Sequence, residues 1–202
     1  MNEHERRRSV IVAGHLGDRH TVEAHLADAD PGVRVAALGA LDRLGVLTTF
    51  EIEAAFDDPA PQVRRRAAEL AGTNRSVTLL PLLADHDPTV VEIAAWACGE
   101  QEQVADDVLD RLVELATVAD DVLVREASAA ALGAIGDVRG LPAILTACAD
   151  KPNVRRRAVL ALAPFDGPEV EAAIERALAD RDWQVRQAAE DLRRATGELD
   201  LT

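Results

Sequence analysis

The sequence has very few aromatic residues: no tyrosine, three phenylalanines and two tryptophans among 202 residues. Aromatic and β-branched residues favour strands. The apolar residues here are mostly Ala, Val and Leu, and Ala and Leu are strong helix formers. Small side chains also allow helices to pack closely against each other. The composition therefore predicts an all-α protein.

Lysine is almost absent, since Lys151 is the only one and every other basic residue is an arginine. The chain has 36 acidic against 22 basic residues and a formal net charge of −14. Such a charge repels a phosphate backbone, so we expect no nucleic-acid binding. The acidity is compatible with a basic partner or simply with a well-solvated surface, and both interpretations stay open.

Cysteine and long apolar runs are scarce as well. Cys98 and Cys148 form neither a CxxC pair nor a metal-ligand spacing, which is typical of small buried side chains in a reducing compartment. No apolar run reaches the length of a membrane span, and no apolar signal segment follows the polar residues 1–8. We expect a cytoplasmic protein with no cofactor, no metal and no membrane contact.

One short segment recurs along the chain. Its anchor is a valine, often preceded by Asp or Pro and usually followed by Arg, with small apolar residues four, five and eight positions later. The anchors are Val33, Val63, Val90, Val124, Val154 and Val185. Their separations of 27 to 34 residues fit two short helices and two turns per unit. An incomplete copy, residues 12–17, opens the chain.

The motif has the features of a helix start. An Asp can accept hydrogen bonds from the first free N–H groups, and Pro suits the first helical position. The small apolar residues fall on the side of the anchor and should face the core. Partner helices are predicted at residues 21–27, 48–56, 76–84, 104–116, 141–149 and 168–179. Pro81 should kink or shorten the third of these.

The pattern D-P-x-V-R-x-x-A-A-x-x-L resembles the HEAT repeats, especially the short subclass named for phycobilin lyase subunits. The resemblance covers nearly the whole chain. It implies an α-solenoid of about six HEAT-like helical hairpins plus an N-terminal partial repeat, in a single domain over residues 1–202. Proteins similar to this are scaffolds, adaptors and regulatory subunits, and a few are enzymes.

The enzymatic members of this class do not fit. The di-iron hydroxylase type needs several His-Glu pairs, and this chain has one, at His4-Glu5. The DNA glycosylase type needs a basic groove with aromatic residues. Nucleophile-elbow, P-loop and dinucleotide-binding motifs are absent from the sequence. We predict a non-catalytic protein; an accessory subunit similar to bilin lyase subunits and a self-assembling structural protein are the alternatives.

The arginine after the anchor falls inside the apolar arc, where a guanidinium needs an acceptor. We predict a ladder between neighbouring repeats, with the Asp of an adjacent turn as the acceptor; a row of anion-binding arginines is the alternative. The residues assigned to this ladder are Asp30, Arg34, Arg64, Asp87, Asp121, Arg125, Arg155, Asp182 and Arg186.

A binding stripe is predicted on the opposite side of the motif helices, at two, three and six positions after the anchor. The resemblance implies that this side is concave, as in other solenoids. Trp96 beside arginines is the makeup of an interface hot spot, although Trp96 could instead pack sideways against a neighbouring repeat. We predict a monomer whose stripe binds an acidic and apolar peptide or protein. The stripe residues are Arg65, Arg66, Ile93, Trp96, Ala127, Ala130, Arg156, Arg157 and Leu160.

Overall fold

A computed structural model of the chain describes residues 1–73, 77–101 and 103–199. Within these ranges the protein is all-α, with no strand and with twelve α-helices. The predicted fold class, an α-solenoid of helical hairpins, is confirmed. No helix in the described ranges is both long enough and apolar enough to traverse a bilayer.

The chain forms two compact units, residues 1–94 and 95–202. The helices of the first unit are α1 (Glu3–Leu16), α2 (Arg19–Glu23), α3 (Pro31–Arg43), α4 (Thr49–Ala54) and α5 (Pro61–Gly72). Helix α6 (Pro88–Gly99) contains the boundary. The helices of the second unit are α7 (Asp106–Val118), α8 (Val122–Ile135), α9 (Leu141–Ala147), α10 (Pro152–Ala161), α11 (Pro168–Leu178) and α12 (Trp183–Leu199). That the whole chain is a single domain stays a prediction.

In the first unit the motif helices α1, α3 and α5 pack side by side, and the short helices α2 and α4 cover them. Anchor Val33 and its helical neighbours Ala37 and Leu41 are completely buried, together with Val10 and Val22. The core thus lies along the apolar side that the repeat pattern predicts.

The prediction of a third partner helix at residues 76–84 is wrong. Residues 74–76 lie outside the described residues, and the remainder of the predicted stretch has only a 3₁₀ turn, Leu82–Ala84. Pro81 immediately precedes that turn. Because proline cannot donate a backbone hydrogen bond, it prevents a longer helix here.

The second unit repeats the two-layer arrangement. Motif helices α8, α10 and α12 lie side by side, and α7, α9 and α11 form the other layer. Two of the contacts between motif helices are very close: a methyl group added at Gly133 would lie 2.5 Å from the Cα of Ala161, and one at Gly99 would lie 3.2 Å from the Cα of Ala131. Small residues at these crossings let the motif helices pack in a tight row.

The arginine ladder and the candidate binding face

Arginines of the motif helices are held by a repeated contact with aspartates. Each arginine donates from Nε and Nη2 to the two carboxylate oxygens of an aspartate in the turn before the next motif helix of the same unit. All ten of these hydrogen bonds are within 3.1 Å. We call these five pairs the arginine ladder: Arg6–Asp28, Arg34–Asp58, Arg64–Asp85, Arg125–Asp150 and Arg155–Asp180.

The other donors and acceptors of the ladder are satisfied by backbone groups. Nη1 of Arg34 donates to the carbonyl of Asp28 at 2.7 Å, and Nη1 of Arg64 donates to that of Asp58 at 2.8 Å. Oδ1 of Asp58 also accepts the N–H of Ala60 at 2.9 Å. One arginine therefore joins the turn before its own helix to the turn before the next helix.

The ladder is largely shielded from solvent, and the pKa values of its aspartates are lowered. The side chains of Arg64 and Asp85 are each 5% exposed. The hydrogen bonds from Arg155 hold the pKa of Asp180 below its usual value, and those from Arg125 do the same for Asp150. Burial acts to raise the pKa of Asp85, but the bonds from Arg64 and from a backbone N–H outweigh it and the pKa is lowered.

The aspartates predicted for the ladder do something else. The predicted acceptors Asp30, Asp87, Asp121 and Asp182 accept hydrogen bonds from N–H groups in the first turn of their own helices. These carboxylates cap their helices. In three of the four turns, those of Asp30, Asp87 and Asp182, the ladder acceptor stands two residues earlier. The ladder aspartates occupy the guanidinium groups of Arg34, Arg64, Arg125 and Arg155. These four arginines therefore do not form the anion-binding row that was the alternative prediction.

Arg186 differs from the other predicted ladder residues. Its Nη1 donates to the carbonyls of Asp180 and Arg181 at 2.8 and 3.3 Å. Among the described residues it has no carboxylate partner.

The pair Arg6–Asp28 was missed because Glu5 stands where the other copies have valine. The sequence does contain a sign of this pair: Arg6 precedes Arg34 by 28 residues, and Gly17 precedes Gly45 by the same number. Gly17 and Gly45 share a left-handed φ, of 79° and 67°. The opening copy is therefore more complete than predicted.

One copy departs from the ladder pattern. Val91 takes the position of the arginine. Ala119 stands five residues before the next anchor, where four of the five ladder acceptors lie, and Asp120 stands four residues before it, as Asp150 does before Val154. The residue that this copy lacks is therefore the arginine.

In the first unit the predicted stripe residues Arg65, Arg66 and Ile93 are half-buried. Arg66 donates to Glu69 at 2.8 Å and lies 3.9 Å from Asp42. Nε of Arg65 is buried and has no hydrogen-bond partner in the described part of the chain. These three side chains are therefore only partly accessible to a partner.

In the second unit the stripe keeps exposed apolar residues. Trp96 is 48% exposed and Leu160 is 39% exposed. Ala127 and Ala130, on the helix between them in sequence, are half-buried. About half of the Trp96 surface therefore lies against protein and half faces solvent.

Two basic residues of this stripe share one acid. Nη2 of Arg156 and Nε of Arg157 each lie 3.8 Å from Oε1 of Glu126. The Glu126 side chain is 15% exposed, whereas those of Arg156 and Arg157 are 40% and 46% exposed. At 3.8 Å the contacts are ionic and too long for hydrogen bonds.

Charge is segregated between the two layers of the second unit. Motif helix α10 has three arginines and no acidic residue. In the other layer α7 has four acidic residues against one arginine, and α11 has three against one. In a chain of net charge −14, α10 is thus an unusually basic motif helix.

A cleft of about 560 Å³ lies in the other layer, between α9 and α11. Its lining residues are Pro142, Leu145, Pro168, Glu169, Ala172 and Arg176. Across the described residues, no three His, Cys, Asp or Glu side chains gather into a group that could hold a metal ion.

Comparisons with known proteins identify the family of this chain. A crystal structure of an engineered protein is similar over 91% of this chain and 81% of its own, with 20% identity and a TM-score of 0.45. No curated protein matches. A family model for the HEAT repeat associated with sister chromatid cohesion matches residues 19–41. Neither matching family description names phycobilin lyases, so that subclass stays a prediction. The model for HEAT repeats matches residues 48–133 and 77–153, which together span more than half of the chain, and the chain therefore belongs to the HEAT-repeat family.

Proposed function

We propose that this chain is a non-catalytic protein–protein interaction module of the cytoplasm, an adaptor, scaffold or regulatory subunit. In this proposal it acts as a monomer and binds a partner protein or peptide along the stripe of its motif helices. HEAT repeats are generally protein-interaction scaffolds, which supports the general class. The side chains of the second unit support this choice of site.

The observation that carries the proposal is the exposure of Trp96 and Leu160 in the same unit as the exposed Arg157. Large apolar side chains at solvent cost free energy unless another surface covers them. Tryptophan and arginine are also the residues most enriched at the centres of protein interfaces. The layer of α7, α9 and α11 is the less suitable side, because its acidic residues are typical of a solvated surface.

Site-specific photo-crosslinking tests the proposed face. A photoreactive phenylalanine analogue is placed at Ala127 in the stripe, and the control carries it at Ala172 on α11. Both residues are half-buried alanines on helices of the second unit. After illumination in an extract of the native source, we expect a defined adduct from position 127 and none from position 172.

Three other crosslinking results would contradict the proposal or favour an alternative. An adduct formed at position 172 but not at 127 would place the partner on the other layer. The absence of adducts at both positions would count against an interaction module. An adduct that joins two copies of this chain would favour the self-assembling alternative.

A further inference from the structure

Motif helices of the second unit pack in one register. A side chain at Gly99 would meet Ala131, and a side chain at Gly133 would meet Ala161. In both cases the first residue is nine positions after its anchor and the second is seven positions after its own. The residues six positions after each anchor therefore fall in one row across α6, α8 and α10: Trp96, Ala130 and Leu160.

The row alternates large, small and large side chains. Ala130 ends at its Cβ atom, and Ala127 lies one helical turn before it on the same face. Packed helix axes are about 8–10 Å apart, so Trp96 and Leu160 stand about two such spacings from each other. The exposed parts of these two side chains therefore stand on either side of Ala127 and Ala130. We call the alanine surface between them the trough.

The rim of this trough on α10 is positively charged. Arg156 and Arg157 share the single carboxylate of Glu126, at 3.8 Å from each guanidinium. Within the described residues neither arginine makes a hydrogen bond. Arg155, in contrast, is fully engaged with Asp180. Two guanidinium forks can thus donate hydrogen bonds to the carboxylates of a ligand, for which arginine is geometrically suited.

We propose that this trough binds an acidic peptide segment that carries one bulky apolar side chain. The apolar side chain lies on Ala127 and Ala130 between Trp96 and Leu160, and flanking carboxylates pair with Arg156 and Arg157. This assignment rests on the proposed function, in which the motif-helix stripe is the binding face. Charge complementarity to the two arginines and the alanine surface between two larger apolar side chains favour this occupant.

Fluorescence of Trp96 tests the assignment directly. Trp183→Phe removes the second tryptophan of the chain, so that Trp96 alone reports binding. The probe is a short synthetic peptide with one phenylalanine between glutamates. One control peptide has alanine for the phenylalanine, and another has lysines for the glutamates. We expect saturable binding of the probe and affinity at least about tenfold weaker for each control, a difference of about 1.4 kcal/mol.

Matched variants locate the contact. Ala130→Leu fills the trough and should weaken the probe about tenfold, a difference of about 1.4 kcal/mol. Ala172→Leu adds the same bulk on α11 and should leave the affinity unchanged. The double variant Arg156→Glu, Arg157→Glu should lose the acidic probe and gain the lysine peptide. Circular dichroism and thermal melts establish that each variant is folded.

Three outcomes overturn the assignment: equal binding of all three peptides, no effect of Ala130→Leu, or tighter binding of an oligothymidylate than of the acidic probe. Failure here is distinguishable from failure of the proposed function. If position 127 gives partner adducts while the acidic probe does not bind, only the partner chemistry is wrong. If position 127 gives no adduct, the binding face itself is wrong.

Discussion

Arg64 and Asp85 meet through two parallel hydrogen bonds, Nε to Oδ2 at 2.6 Å and Nη2 to Oδ1 at 2.9 Å. Arg64 lies on α5, and Asp85 lies in the turn before α6. The pair joins two successive repeats of the first unit. Because both charged side chains are almost fully buried, removal of either one would leave the other as an uncompensated buried charge.

Asp85→Ala should therefore destabilise the protein strongly. It leaves the Arg64 guanidinium buried without its carboxylate, which costs about 3–5 kcal/mol. Urea denaturation followed by circular dichroism measures the change in the free energy of unfolding. The control is Glu23→Ala, which breaks the exposed pair Arg19–Glu23 on α2 and should change the free energy of unfolding much less, because solvent screens this pair. Similar losses for the two variants would contradict a structural role for the ladder.

Stability should fall in acid because the ladder aspartates have lowered pKa values. The pKa of Asp28, Asp150 and Asp180 is lowered first of all by the arginine hydrogen bonds. An aspartate with a depressed pKa in the folded state stabilises it above the unfolded value of about 3.9. That contribution is lost as the pH falls through the folded pKa. Thermal melts should give a constant Tm above about pH 5 and a falling Tm below about pH 4.

The control for this pH dependence removes one ladder pair. In Arg125→Leu, Asp150→Leu one titrating aspartate is gone, so the drop in Tm between about pH 5 and pH 2 should be smaller than in the original chain. An equal or larger drop would show that other groups cause the acid sensitivity.

Gly133→Ala should destabilise the second unit. The added methyl group would lie 2.5 Å from both Cα and Cβ of Ala161 and 2.8 Å from its carbonyl oxygen. Backbone of α10 would have to move, and overpacking of this kind costs about 1–3 kcal/mol. Chemical denaturation measures the loss.

The matched control is Gly197→Ala in α12, where an added methyl group meets nothing within 4 Å. Alanine in place of a helical glycine should stabilise this helix by about 0.5–1 kcal/mol. Opposite signs for the two substitutions are the expected outcome, and equal effects would argue against close contact between α8 and α10.

The two thiols should react slowly in the folded protein. Burial raises the pKa of Cys98 to about 12, and burial raises that of Cys148 to about 11. Little thiolate is present at neutral pH, and the thiolate is the reactive form. Titration with Ellman's reagent should label both cysteines rapidly in urea. In the native protein the half-buried Cys148 should react before the buried Cys98. Fast native labelling of Cys98 would contradict its place in the core.

Much of the fold follows from local periodicity. The anchors Val33, Val63 and Val90 are buried as predicted, with exposures of 0%, 1% and 0%. Each motif helix has its own apolar side and a local start signal, either a capping side chain, as in α3 and α8, or a proline in the first turn, as in α5 and α10. Residues close in sequence are therefore enough to place it. The third partner helix failed because the apolar pattern around Pro81 does not reveal how far a proline shortens a helix.

The candidate site was predictable only in part. The position of Trp96 on the exposed side of α6 follows from helical spacing, but the shared use of Glu126 by Arg156 and Arg157 does not. Those residues are far apart in sequence, and the contact arises only when α8 and α10 pack side by side. That this stripe binds a partner stays a prediction until the crosslinking is done.

Local sequence patterns are enough to predict an all-α repeat protein, the positions of its motif helices and the side of each helix that faces the core. These properties depend on residues within a few positions of one another. Tertiary structure decided which aspartate meets each arginine: Arg34 pairs with Asp58, while Asp30 caps its own helix. Two aspartates in one turn are equivalent in a sequence pattern. Only the stacking of the next layer determines which carboxylate faces the guanidinium.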